Sequence, residues 1–178
     1  DDEDDSQSHS SEQTEPDGVS LQDIFNRQRG IEDEDFAGQT VLGNKELADT
    51  TLSGCRLSDT ELSGVTFRDV NLRDADFRGA DLQNVEFVGR DTQLGGADFT
   101  GATLSGAKFE TAVSECIFAG AQMRGVDLRK ASLEGADFSE ARLKRAKLHQ
   151  SEPERATFDR AVLQDVKTSG ATFSDTSF

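Results

Sequence analysis

The sequence predicts an all-β solenoid, a chain wound into square coils whose sides are five residues long. Three observations lead there. A large apolar residue recurs at every fifth position from Leu42 to Phe178, a small residue sits two places before it, and Gly, Asp or Asn is common two places after it. A period of five fits neither a helix, at 3.6 residues per turn, nor an alternating strand, at two. It fits a chain that runs extended for about three residues and then turns a corner. The small and the large residue both point inward across each side, and Gly, Asp and Asn tolerate the tight turn. Four sides close one coil. Twenty-eight centres then give seven coils, and at the inter-strand spacing of about 4.8 Å the rod is roughly 34 Å long.

Along the chain, residues 1–17 carry no large apolar side chain and read as a disordered acidic tail, since such a segment cannot offset its ordering entropy by burial. A sharper reading makes it an acidic arm that docks on a basic partner or mimics nucleic acid. Residues 18–39 read as a capping helix and connector. Ser20 and Asp23 form a capping-box-like pair, Leu21, Ile24 and Phe25 share one face, and Gly30 suits the stop. Ile31–Thr40 is expected to be an acidic connector.

Residues 40–178 hold the repeat. Its inward centres include Leu72, Phe77, Leu82, Phe87, Phe99, Leu104, Phe109, Phe118, Leu128, Leu133 and Phe138. Four departures stand out. Lys45 is a poor inward residue, so the first coil is expected to be ragged. Two extra residues near Val88–Asp91 are expected to bulge outward. One residue is missing near Glu110–Glu115, where Val113 stands in as centre. Pro153 falls on a centre, and because proline cannot donate to a ladder, His149–Arg155 is expected to loop outward. Cys55 and Cys116 occupy small inward positions about three coils apart, too far for a disulfide, and read as buried thiols.

The residues Ala75-Asp76-Phe77, Ala80-Asp81-Leu82, Ala97-Asp98-Phe99 and Ala136-Asp137-Phe138 resemble the A-(D/N)-L-x-x repeat of the pentapeptide-repeat family, over about residues 40–178. The resemblance implies a right-handed quadrilateral parallel β-helix. It implies no single activity, because fold and function separate. Some members protect DNA gyrase from quinolones by imitating duplex DNA, and Phe87–Phe99 is loosely similar to a loop-bearing region in that subgroup. Others occur in thylakoid lumens and among bacterial effectors.

No catalytic constellation is visible. His9 and His149 lie in the tail and in the expected loop, no Cys/His spacing suits zinc, and the glycines follow the period of five rather than a phosphate loop. The Asp1–Asp5 run lacks the rigid cage that calcium requires. The expectation is therefore a protein without catalytic residues, cofactor or metal, acting through its outer surface. Asp76, Asp81, Asp98, Arg90 and Asp91 are the candidate partner-binding residues. Charge is graded: residues 1–40 hold 13 acidic and 2 basic residues, 41–117 hold 13 and 7, and 118–178 hold 9 and 10. That balance argues against direct nucleic-acid binding and against anionic membranes. The sequence leaves open an interaction scaffold, a DNA-mimicking topoisomerase regulator, and a processed lumenal, periplasmic or secreted form, which a first residue other than Met allows. An uncovered last coil at Phe178 points to a homodimer. Compartment stays unknown.

Overall fold

The structure, a computed structural model, describes residues 19–42 and 45–178. The acidic tail expected at 1–17 lies outside the described residues. The rest is a right-handed quadrilateral parallel β-helix of about seven coils, entered through one short helix.

Each coil has four sides, which we label D, A, B and C in chain order. Side D stacks Leu52, Leu72, Leu94, Val113, Leu133 and Pro153. Side A stacks Phe36, Leu57, Phe77, Phe99, Phe118, Phe138 and Phe158. Side B stacks Val41, Leu62, Leu82, Leu104, Met123 and Leu143, and side C stacks Leu47, Phe67, Phe87, Phe109, Leu128 and Leu148. Among the described residues only side C holds regular strands, β1 (Glu46–Ala48), β2 (Thr66–Arg68), β3 (Glu86–Val88) and β4 (Lys108–Phe109), parallel and in that order. On the other sides a single residue, the one before each centre, bridges to its counterparts above and below, as in Asp76 to Arg56 and Asp98.

This arrangement satisfies the backbone. The Asp76 amide donates to the Cys55 carbonyl (3.0 Å), Phe77 to Asp98 (2.7 Å) and Gly79 to Thr100 (3.0 Å), while Ala80 turns back onto Phe77 (3.1 Å). Four hydrogen bonds per side, repeated along the rod, leave few buried backbone groups unpaired.

The interior is apolar and stacked. All eleven centres named from the sequence are at most 1% exposed. Successive side A rings lie nearly parallel, Phe77 over Phe99 at 5.0 Å and 1°, and Phe118 over Phe138 at 5.0 Å and 5°. Side C stacks likewise, with Phe67 over Phe87 at 5.3 Å. Sides A and C oppose each other, and their rings meet edge to face across the axis, Phe99 against Phe109 at 6.1 Å and 88°. Both geometries suit the quadrupole of the ring.

Several boundaries differ from the sequence reading. Leu42 is not the first centre: it is 71% exposed, and Val41 is buried in its place. Ile31–Thr40 is not a free connector but the start of the coil, with Asp35 bridging to Arg56 and Thr40 to Glu61, and with Phe36 at 1% exposure. A six-residue step from Val41 to Leu47 hid this register. Pro153 does not loop out. It is buried as a side D centre, with buried Ser151 before it and Glu152 bridged to Ser132. The missing N–H removes one ladder bond, yet the Pro153 carbonyl still accepts from Ala156 (3.2 Å) and from the Thr176 hydroxyl (2.9 Å).

The helix α1 (Leu21–Arg27) buries Leu21, Ile24 and Phe25 and begins in a full capping box of Ser20 and Asp23. Phe25 sets its edge on Phe67 at 5.9 Å. The stop is Gln28 in the left-handed region (φ 49°), not Gly30. Gly30 instead lets the chain pass close to the next coil, where a Cβ would lie 2.8 Å from the Thr51 amide nitrogen.

Candidate functional site

The outer surface is built from the three outward residues of each side: the one before the centre, the one after it, and the corner. Asp76, Asp81, Asp98, Asp127 and Asp137 all stand before a centre, and each turns its Oδ1 back to accept the amide two residues on. The distances are 3.0 Å from Arg78, 3.1 Å from Gln83, 2.9 Å from Thr100, 3.2 Å from Arg129 and 2.8 Å from Ser139. These carboxylates therefore shape corners. Arg78 also grips Asp76 through Nε (2.8 Å) and a terminal nitrogen (2.6 Å), which holds that carboxyl below its ordinary range. Partial burial raises the Asp127 carboxyl, and hydrogen bonds from Arg129 more than offset it, so the net direction is downward.

The structure divides the candidate residues. Asp76 and Asp98 are neighbours on side A, with Arg78 between them (3.9 Å to Asp98). Asp81 lies around the corner on side B. Arg90 and Asp91 are exposed at the corner between C and D, on the far side of the rod. The insertion there barely projects. Val88 and Thr92 turn inward (5% and 3% exposed), the Thr92 hydroxyl donates to the Val88 carbonyl, and the Asp91 amide donates to Asp69 Oδ1 (3.1 Å).

One coil further on, the missing residue cuts the same corner short and opens a cavity of about 800 Å³, lined in part by Lys108, Glu110, Asp127, Arg129, Lys130 and His149. Most of its charges are already paired, Lys108 with Glu110 (2.5 Å) and Arg129 with Asp127 (2.7 Å). Among the described residues no group of three His, Cys, Asp or Glu side chains is placed to hold a metal ion. Both cysteines are free and fully buried. Burial pushes the Cys116 thiol up to about 12, and its sulfur lies 3.0 Å from the Leu94 carbonyl.

What counting along the chain misses is how charge is distributed around the rod. Residues 118–178 look neutral in sequence, but the coil sorts them. Sides B and C receive Arg124, Arg129, Lys130, Arg142, Lys144, Arg145, Lys147 and Lys167 against only Asp127 and Asp165. Sides D and A receive Glu134, Asp137, Glu140, Glu152, Glu154, Asp159 and Asp175 against Arg155 and Arg160. The signal was available: assigning each charge to one of four sides by its place in the twenty-residue coil would have found it.

The family profile for pentapeptide repeats, in eight copies, matches residues 46–87, 90–113 and 116–152, more than half of the chain. The chain belongs to the pentapeptide-repeat family. Among curated proteins no match to this sequence is found. Among solved structures it is similar to QnrB1 in a trypsin-treated form, a plasmid-mediated fluoroquinolone resistance protein, at 20% identity and TM-score 0.56, covering 85% of this chain and 87% of that one. It is also similar to a pentapeptide repeat protein of the Arabidopsis thaliana thylakoid lumen, at 27% identity and TM-score 0.54, covering 63% of this chain and 76% of that one. The QnrB1 likeness is one of fold.

Proposed function

We propose that this pentapeptide-repeat protein is a non-enzymatic interaction module, a rod that offers the acidic surface of sides D and A to a basic face of a protein partner. The observation that carries the reading is the sorting of charge. From Glu32 to Asp175 these two sides hold sixteen carboxylates against five cations. Over a rod of roughly 34 Å that is about one carboxylate per 2–3 Å of axis, at the coil spacing of about 4.8 Å. The carboxylates sit on a backbone held at every coil, so little ordering entropy opposes docking.

That axial density also favours a second reading, a DNA-mimicking regulator of a topoisomerase, since duplex DNA carries one charge per about 1.7 Å of axis. The positive edge on sides B and C limits the likeness to one half of the circumference.

A gyrase supercoiling assay, with and without a quinolone, separates the two. The informative variant reverses Glu140, Glu152 and Glu154, which are exposed, rather than Asp76 and Asp98, whose carboxylates fold their own corners. Drug protection by the wild type that is lost in Glu140→Lys/Glu152→Lys/Glu154→Lys supports the mimic. Absence of any effect at micromolar protein removes the mimic and leaves the module, which is then tested by whether one partner is captured by the wild type and released by that variant. A partner held equally by both overturns the acidic-surface reading.

A further inference from the structure

The positive edge has an unmatched core. Arg124, Arg142, Lys144 and Arg145 lie together on side B in two successive coils, Arg124 directly beneath Lys144, with Arg145 at the corner. None of the four pairs with a carboxylate among the described residues, although ten such pairs form elsewhere on the rod. Four like charges held at coil spacing in a chain of net charge −16 repel one another, and an anionic segment laid across them relieves that repulsion.

We propose that this surface docks the chain's own acidic N-terminal arm, with Asp1–Asp5 seated on the Arg124–Arg145 cluster. The arm contains eight acidic residues and no Lys or Arg in residues 1–17. It enters the fold at the foot of the same side. The Leu21 amide donates to the Gln39 side chain (2.7 Å) and the Leu42 amide to the Gln22 side chain (2.5 Å), which places the start of α1 beside Val41, the first side B centre. From Val41 the stack climbs through Leu62, Leu82 and Leu104 to Met123 and Leu143. At about 4.8 Å per coil the cluster therefore lies roughly 19–24 Å above the foot. A random-coil linker as long as the stretch from Asp5 to Val19 has an r.m.s. span of about 21 Å. A tether whose span matches the gap gives the highest effective concentration. Glu61 and Asp81, on the nearer coils of side B, repel the arm and leave the far cluster as its seat. While seated, the arm withholds this side B cluster from other anions.

The test is paramagnetic relaxation with a nitroxide on Ser6→Cys in the full chain. Cys55 and Cys116 are fully buried, so the label is single. The expected result at low salt is broadening of the amides of 122–125 and 142–145 at least threefold greater than that of 132–135 on side D. It disappears at 0.5 M salt, where the screening length falls to a few ångströms, and in Arg142→Glu/Lys144→Glu with the rest of the amide spectrum unchanged. Broadening confined to the residues around α1, or equal on all four sides, overturns the proposal. So does broadening of unlabelled isotopic protein mixed with labelled protein, which would make a second copy the occupant.

Discussion

At the scale of the residue, the corner is where chemistry and geometry meet. Nearly every described corner residue takes positive φ, and the chain fills the position with glycine or with Asp, Asn and even Lys, Glu or Arg. Gly79 (φ 69°) stands directly over Asp59, whose Oδ1 would collide with any Cβ added there, whereas Gly64 (φ 71°) has open space around it. Gly64→Ala therefore costs only the left-handed conformation, about 1–2 kcal/mol. Gly79→Ala adds a clash and is expected to cost about 1–2 kcal/mol more. Pairing it with Asp59→Ala removes that extra loss, with Asp59→Ala alone as the reference. Urea unfolding of the four variants measures this, and equal losses for the two single glycine variants would show that the Asp59 side chain simply moves aside.

At the scale of the element, the helix works as a cover for an open sheet edge. The Gln28 side chain accepts from the Ala48 amide (2.7 Å) and donates to the Glu46 carbonyl (2.8 Å), so one side-chain amide pairs with β1 in place of a missing strand. An uncovered parallel edge would otherwise template pairing with another chain. Gln28→Ala removes both bonds and is expected to cost about 1–3 kcal/mol, with faster amide exchange confined to the first coil. Ser20→Ala, which removes the helix cap, is expected to cost about 1 kcal/mol. Uniform exchange across all coils in either variant would mean that the rod opens as one unit rather than from this end. The capping box and the buried face of α1 were readable because they rest on local spacing. The pairing role of Gln28 was not, since it depends on a long-range register. The same limit explains the first coil: Phe36 and Val41 carry the right residue types, but the extra residue before Leu47 broke the count. Pro153 stays inside because, near the end of the stack, one lost ladder bond weighs less than a filled interior.

At the scale of the whole molecule, the period was legible because every coil repeats one solution, and the charge pattern was obscured because it runs across coils rather than along the chain. The same asymmetry governs how two rods would meet. At one end Phe178 is 69% exposed and stacks on Phe158 at 5.6 Å, over a cavity of about 290 Å³ lined by Leu148, Leu163, Val166 and Phe173. Along the length, a positive edge and an acidic surface could instead attract each other side to side. These modes respond oppositely to salt. An apolar end contact between identical surfaces closes into a two-fold dimer and holds or strengthens as salt rises, whereas lateral pairing of B–C against D–A is screened and does not close. If two copies of the 178-residue chain pair through this apolar end, sedimentation at 0.05 and 0.5 M salt shows one dimer species that survives high salt. Phe178→Glu should weaken it at least tenfold with little change in the melting temperature, since the ring is mostly in solvent. Association that vanishes at 0.5 M salt, or that Phe178→Glu leaves untouched, would place the contact on the charged sides and not at the end.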